Sequence, residues 1–338
     1  MRKKNIAVVW GGYSNEKEVS ERSAEGIYNF IDKSRYNPIK VCIDRNGWIV
    51  EFENILYAIN KNDFSFDIDD KKVNFDFAYI IIHGTPGEDG PLQGYFDMIG
   101  IPYSSAGLLS CALTFSKFTC NNFLKSFGFK VADSILIRKN ELYNENEIIN
   151  RLKLPMFVKP NVGGSSLAIT KVKNPSQLQT AIDDAFEEAS EVLIESFIEG
   201  VEVTCGCFTT ETGKTILPIT EIVPHNEFFD YEAKYEGQVE EITPARISRD
   251  MTDYIQNLTS EIYDLVGAKG IARADFIICN NEPILLELNT VPGMTETSFI
   301  PQQVEAANLN MTNVLTDIIE YEYNKLENLR NNEKPKYR

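Results

Sequence analysis

Arg273, Asp275, Glu287 and Asn289 fall at alternating positions along two apolar segments, 271–279 and 283–288, that Asn280, Asn281 and Glu282 separate. That separation predicts a hairpin. Residues two apart on a strand share a face, so these four can present three oxygen ligands and one guanidinium to a single site. Two carboxylates and an amide oxygen suit magnesium, a hard cation that keeps water and completes its shell with substrate phosphates; zinc would call for His or Cys. Taken alone, the same residues also fit a solvated polar strand face. Asn289 runs on through Pro292-Gly293 to Ser298. Backbone N–H groups exposed at such a turn beside a hydroxyl are what an oxyanion site needs, and equally what an ordinary loop offers.

A second group centres on Lys159, at the end of the short apolar run 156–159 and just before Gly163-Gly164-Ser165-Ser166. Backbone donors and hydroxyls in such a stretch can wrap phosphate oxygens, although the spacing is not that of a Walker loop and a plain turn reads the same way. His83 and His225 are the only histidines. A lone His at a strand end is as readily a hydrogen-bonded structural residue as a ligand.

The elements that would carry these residues follow from periodicity. Segment 6–10 reads as a buried strand, 19–31 as an amphipathic helix with Val19, Ser23, Gly26, Ile27 and Phe30 on one side, 78–82 as a second buried strand and 92–99 as a helix. Alternation of strand and helix predicts a parallel sheet with crossover helices, whose functional loops lie at the carboxyl ends of the strands. A second unit is expected from about residue 108, with one helix holding Lys117 and ending at Gly128 and a strand pair at 131–137 and 155–160. Asn174-Pro175 supplies a cap and an N1 proline for a helix over 176–189. From 191 onward strands dominate, at 192–197 and 201–208, before the hairpin, and 310–329 closes as a helix.

Composition bounds the function. The 338 residues are 43% hydrophobic and 25% charged, enough for two or three cored domains. The net charge of −17 repels an extended phosphate backbone, so nucleic acid is excluded as a partner while a small anion held in a basic cleft is not. No apolar run reaches the roughly 20 residues of a membrane span, and neither a signal peptide nor an anchor is expected. Six cysteines without a secretion signal point to reduced thiols in a cytoplasmic protein; Cys205 and Cys207, two apart in a strand-like run, read as core packing and not as a metal pair.

Taken in order, the motifs Gly11-Gly-Tyr-Ser-Asn-Glu16, His83-Gly-Thr-Pro-Gly-Glu-Asp-Gly90, Phe157-Val-Lys159-Pro, Gly164-Ser-Ser166, Asp230-Tyr-Glu-Ala-Lys234-Tyr235, Arg273-Ala-Asp275 and Glu287-Leu-Asn-Thr-Val-Pro-Gly-Met-Thr295 resemble those of D-alanine:D-alanine ligases of the ATP-grasp superfamily over nearly the whole chain. The resemblance implies a three-domain α/β architecture: an amino-terminal open parallel sheet domain (1–107), then central (108–197) and carboxyl-terminal (198–338) α+β domains that clasp ATP. It implies ATP-dependent joining of two D-alanines through an acyl phosphate for peptidoglycan precursors. A D-alanine:D-lactate ligase, or another carboxylate–amine ligase of the superfamily, is the alternative.

By the same resemblance Lys117, Lys159 and Lys234 meet the phosphates, Glu195, Ile198 and Glu202 hold adenine and ribose, and Asp275, Glu287 and Asn289 bind Mg2+, with Mn2+ as a substitute. Glu16 and His83 hold the first D-alanine, Ser298 receives the second carboxylate, and Arg273 with the Gly293 N–H holds the oxyanion. Tyr235, on a lid over 228–237, bonds to Ser165; His225 stays outside the site. Where the family often continues Val-Gly after the serine pair, this chain has Leu167-Ala168. The expected partners are D-alanine and ATP, with a homodimer as the assembly and no membrane.

Overall fold

The computed structural model describes residues 2–164, 168–224 and 239–332. The first sheet grows from β1 (Lys4–Gly11), whose run Ile6 to Val9 is fully buried. Helix α1 (Lys17–Phe30) returns the chain to β2 (Tyr36–Asp44), followed by β3 (Gly47–Phe52), β4 (Ile55–Ala58), a small ribbon of β5 (Ser65–Ile68) and β6 (Lys71–Asn74), and then β7 (Phe77–Ile80). β1 pairs in parallel with both β2 and β7, giving the expected parallel centre. The sheet order is β4-β3-β2-β1-β7, with β3 and β4 added antiparallel at one edge. Sequence periodicity does not reveal that edge, because β4 leaves Ile55 and Leu56 exposed and so lacks a buried-side alternation. Helix α2 (Pro91–Ile99) starts on a proline and stops at Gly100, whose φ of 70° suits a left-handed cap.

The expected single helix around Lys117 is two, α3 (Leu108–Phe115) and α4 (Lys117–Ser126). Ser116 breaks it with extended backbone and accepts a hydrogen bond from Thr119 N, a short-range cap that propensity alone does not separate from a continuous helix. β8 (Ser134–Arg138), α5 (Glu145–Leu152), β9 (Met156–Pro160), β10 (Thr170–Val172), α6 (Leu178–Glu188) and β11 (Glu191–Ser196) complete an antiparallel sheet of order β10-β9-β11-β8. The two strands expected as a pair, β8 and β9, are therefore separated by β11, a strand distant in sequence.

The third sheet holds β12 (Val201–Thr210), β13 (Gly213–Ile216), β14 (Thr220–Pro224), β15 (Val239–Ile242), β16 (Ile271–Cys279) and β17 (Glu282–Asn289), and is covered by α7 (Arg249–Leu265). The predicted hairpin is present. Its loop is two residues and not three, Asn280 and Asn281 with φ of 49° and 66°, the double left-handed turn that matches strand twist. Cys205 and Cys207 are buried in the core of this sheet, and burial pushes the Cys205 thiol pKa up to about 12. Among the described residues no helix is long and apolar enough to cross a membrane.

The chain ends in α8 (Phe299–Ala306) and α9 (Met311–Asn332), and these seat the first sheet on the third. Ile6, Val8 and Ile27 share one core with Phe208, Leu217, Ile300 and Leu315. At its edge Glu320 accepts hydrogen bonds from Tyr36 Oη (2.5 Å) and Lys4 Nζ (2.7 Å). Burial works to raise the Glu320 pKa, but the Lys4 and Tyr36 bonds outweigh it and hold the carboxyl below its ordinary value. A lowered carboxyl pKa stabilises the fold fully above the unfolded value and loses that contribution as pH falls through the folded one. Glu320→Gln should therefore cost about 1 to 3 kcal/mol at pH 7. Urea unfolding should show that gap closing below about pH 4; a gap independent of pH would mean that the carboxylate charge is not what α9 uses.

Candidate active site

β16 and β17 place the polar hairpin residues as strand alternation requires. Arg273 lies opposite Asn289 and Asp275 opposite Glu287, so all four meet across one pair of strands. The register slips between Asp275 and Phe276, a bulge that leaves Leu286 as the extra residue of β17 just before Glu287. Arg273 and Asp275, both buried, form a two-pronged pair, Nε to Oδ1 at 2.8 Å and Nη2 to Oδ2 at 2.7 Å. Burial alone would lower the Arg273 pKa, but the Asp275 charge and hydrogen bonds raise it well above the ordinary arginine value. Thr204 on β12 donates a further 2.5 Å bond to Asp275 Oδ1. Thr204 was not singled out from sequence, though its place two residues after Glu202 on one strand is a signal that both share a face.

Lys159, at the end of β9, lies 2.5 Å from Glu195 on neighbouring β11. Burial opposes its charge, yet Glu195, Glu287 and Glu202 together keep its pKa above the ordinary lysine value. Lys117 opens α4 and reaches both Gly163 O (2.6 Å) and Glu287 Oε2 (3.4 Å). It is aimed there by Asn161, a fully buried side chain that accepts from Phe118 N and donates to Ser116 Oγ and Glu191. Asn161 also escaped the sequence reading, since nothing in Pro160-Asn161-Val162 distinguishes a buried brace from a turn residue.

At the carboxyl end of the first sheet, Glu16 is 7% exposed and sits against Gly164, where a Cβ would stand 2.9 Å from its Oε1. His83 is buried, with Nε2 3.3 Å from Ser23 Oγ and Nδ1 3.8 Å from Glu88. Ser23 in turn accepts at 3.4 Å from Met294 N, next to Gly293. Ser298 Oγ accepts from Thr295 N (3.0 Å) and caps no helix N–H itself, although it stands at the start of α8. A Cβ on Gly293 would lie 3.1 Å from that hydroxyl.

Three adjoining cavities collect these groups, and Glu287 borders all three. One of about 690 Å3 is lined by Lys117, Lys159, Glu195, Ile198, Glu202, Arg273 and Asp275, with the apolar Phe157, Ile222 and Leu286. A second of about 510 Å3 is lined by Glu16, His83, Arg273, Asn289, Gly293 and Ser298, and adds Arg22, Glu88 and Gln302, to which sequence reasoning gave no role. The third, of about 310 Å3, joins Glu16 and Gly164 to Lys117 and Lys159. Every expected site residue among those described thus borders one or more of these cavities, with Asp275 on the first and Asn289 on the second. Ser165, Ser166, Lys234, Tyr235 and His225, and the expected lid over 228–237, lie outside the described residues.

The donor set is one of hard oxygens. Among the described residues no three His, Cys, Asp or Glu side chains are gathered to hold a metal alone. Asp275, Glu287 and Asn289 therefore fit a hard divalent cation that takes further ligands from phosphate and water. Asp275 has room for it: the Thr204 and Arg273 bonds use three of roughly four lone-pair positions.

The turn carrying Gly293 rests directly on α1. A Cβ at Gly26 would stand 2.1 Å from Met294 O, so only glycine admits the helix this close to the loop. Gly26→Ala is expected to push residues 292–295 outward, at about 1 to 3 kcal/mol in stability. The displacement should also lower kcat/KM for the site's reaction by roughly ten-fold or more. Steady-state rates beside thermal unfolding check this; a stable variant with parental rates would show that the loop position is not critical.

Residues 5–106 match the family described as D-ala D-ala ligase N-terminus, and residues 123–320 the family described as D-ala D-ala ligase C-terminus. The D-alanine–D-alanine ligase of Parabacteroides distasonis is 58% identical over 322 residues, 95% of this chain and 98% of that protein. The D-alanine–D-alanine ligase of Bacteroides fragilis is 54% identical over 95% of this chain and all of its own length. Among solved structures, the Bacillus anthracis D-alanine–D-alanine ligase complexed with ATP superposes with a TM-score of 0.78 at 30% identity, covering 97% of this chain and 100% of that one. The VanG D-Ala:D-Ser ligase of Enterococcus faecalis gives 0.82 at 30% identity over 95% and 100%.

Proposed function

Because this chain belongs to the D-alanine–D-alanine ligase family, we infer that it joins two D-alanines to D-alanyl-D-alanine, driven by ATP cleavage, in the making of peptidoglycan precursors. The observation that carries this reading is the meeting of three cavities at Glu287, which puts a lysine-lined nucleotide space beside a smaller space bordered by Glu16 and by the Ser298 hydroxyl.

A carboxylate does not accept an amine until one of its oxygens becomes a leaving group. The first D-alanine, its ammonium held by Glu16 and its backbone beside His83, attacks the γ-phosphorus of ATP, and the bond to ADP breaks. Lys117, Lys159 and Arg273 lie where they can balance the charge that spreads over the phosphoryl oxygens. Asp275, Glu287 and Asn289 would hold magnesium, which supplies a Lewis acid toward the phosphates when bound. Glu195, Ile198 and Glu202 line the part of the large cavity suited to adenine and ribose. The second amine then attacks the acyl carbon, its carboxylate resting on the Ser298 hydroxyl. Arg273 and the Gly293 N–H face the oxyanion before inorganic phosphate departs.

We place the domain limits near residues 107 and 197, between the three sheets. The roles assigned from family resemblance to Ser165, Lys234 and Tyr235 remain part of the same reading, as do a cytoplasmic location and a homodimer. Incubation with ATP, magnesium and D-alanine should release one phosphate per dipeptide formed, and chelation of the metal should stop both. Phosphate release without dipeptide, or an ester as the main product when D-lactate is added in excess, would overturn the assignment in favour of another carboxylate ligase.

A further inference from the structure

Gln303, on the second turn of α8, is fully buried and takes no part in the chemistry above. Its amide is completely specified. Oε1 accepts from Gly206 N (2.9 Å), while Nε2 donates to Thr204 O (3.0 Å) and to Thr220 Oγ1 (3.0 Å). A backbone N–H can only donate and a backbone carbonyl only accept, so the amide has one orientation. Each partner leads back to the site. Thr204, held through its carbonyl, uses its own hydroxyl on Asp275. Gly206 lies opposite Arg273 in the ladder between β12 and β16. Thr220, on β14, shares a 2.6 Å hydrogen bond with Thr243, just past β15.

The residue that starts α8 is Ser298. Only four residues of one short helix thus separate the hydroxyl at its start from the amide that fastens it to the strand beside Asp275 and Arg273. The close approach is built in at Gly206, where a Cβ would stand 2.6 Å from Ile300 Cδ1 and 2.7 Å from Gln303 Oε1. An apolar side chain at 303 would leave a buried N–H, a carbonyl and a hydroxyl without this partner.

We propose that Gln303 is a positioning residue for the second half of the reaction: it locks the helix that presents Ser298 to the strand that braces Asp275, and so sets the second amino acid's distance from the acyl carbon. This rests on the ligase reading above. A loosened lock would misplace the attacking amine first, because Ser298 sits on the helix that Gln303 fastens, while Lys117, Lys159 and Glu195 lie on elements that Gln303 does not touch. The acyl phosphate would then wait longer and be lost to water, returning D-alanine and phosphate without a peptide bond.

The test compares the parent, Gln303→Leu, and Gln256→Leu, which removes a similar side-chain bond, to Leu217 O just past β13, between residues that line none of the three cavities. Initial rates over a wide D-alanine range resolve the two amino-acid KM values, and phosphate and dipeptide are measured separately. Gln303→Leu should raise the KM of the second D-alanine by about ten-fold or more and lift the phosphate-to-dipeptide ratio above one, with ATP KM changed by less than about two-fold. Gln256→Leu should lower stability only. If Gln303→Leu does not fold, Gln303→Asn, which keeps the amide but withdraws it by one methylene, should show the same pattern more weakly. Unchanged second KM and ratio in a folded Gln303 variant would overturn the proposal alone, as would equal losses for both amino acids and ATP. A parent that forms no dipeptide would overturn the ligase reading and the proposal with it.

Discussion

Asp275→Asn should lower phosphate release from ATP and D-alanine by roughly a hundred-fold or more at saturating magnesium, the scale of losing one preorganised electrostatic contact in a phosphoryl or acyl transfer. The side chain stands at the crossing of two demands. It is the closest partner of the buried Arg273, through bonds of 2.8 and 2.7 Å, and it faces Glu287 across the ladder where a cation would lie. Asparagine keeps the volume but loses the charge, so the guanidinium is left with less compensation and the cation with one carboxylate fewer. Breaking a buried pair from one side costs about 3 to 5 kcal/mol, and the variant should unfold at lower temperature as well. The two losses separate by ligand. Magnesium-ADP should raise the melting temperature of the parent and raise that of the variant much less, because stabilisation by a ligand follows its affinity. Parental turnover in a folded Asp275→Asn protein would remove this residue from the metal site.

Lys159→Met should raise the KM for ATP by about a hundred-fold, with kcat falling too, if the lysine meets the phosphoryl charge as proposed above. In the parent, its ammonium is drawn by Glu195 at 2.5 Å and, at longer range, by Glu287 and Glu202. Methionine fills the same space without the cation, so a polyphosphate would approach Glu195, Glu202 and Glu287 with one positive charge fewer among them. Because the Lys159 pKa lies above the ordinary lysine value, the group stays charged at every pH below about 10. The parent's ATP KM should accordingly show no limb from this residue between pH 6 and about 9.5. The sign is fixed: the contribution is present below the raised pKa and is lost only as pH rises through it. A parent whose ATP KM climbs between pH 7 and 9, with Lys159→Met flat over the same range, would place the lysine pKa far lower than the surrounding carboxylates imply.

What the sequence determined by itself were features written over a few residues. The Asn280-Asn281 turn and the alternation of Arg273, Asp275, Glu287 and Asn289 are local properties of a hairpin, and they fold as read even with a bulge at Leu286. The buried runs of β1 and β7 and the Asn174-Pro175 helix start are local in the same sense. The ordered set of motifs carried the family. What only the tertiary structure decided depends on chain segments far apart. β11 inserts between β8 and β9 and so brings Glu195 to Lys159; Asn161 aims Lys117; Gly26 lets α1 touch the Gly293 turn; and Gln303 ties α8 to Thr204. None of these leaves a periodic trace, because hydrophobic spacing reports which face of an element is buried and not what it is buried against. A buried glutamine or asparagine is legible only once its partners are fixed, since the same residue on a surface would carry the same letter in the sequence.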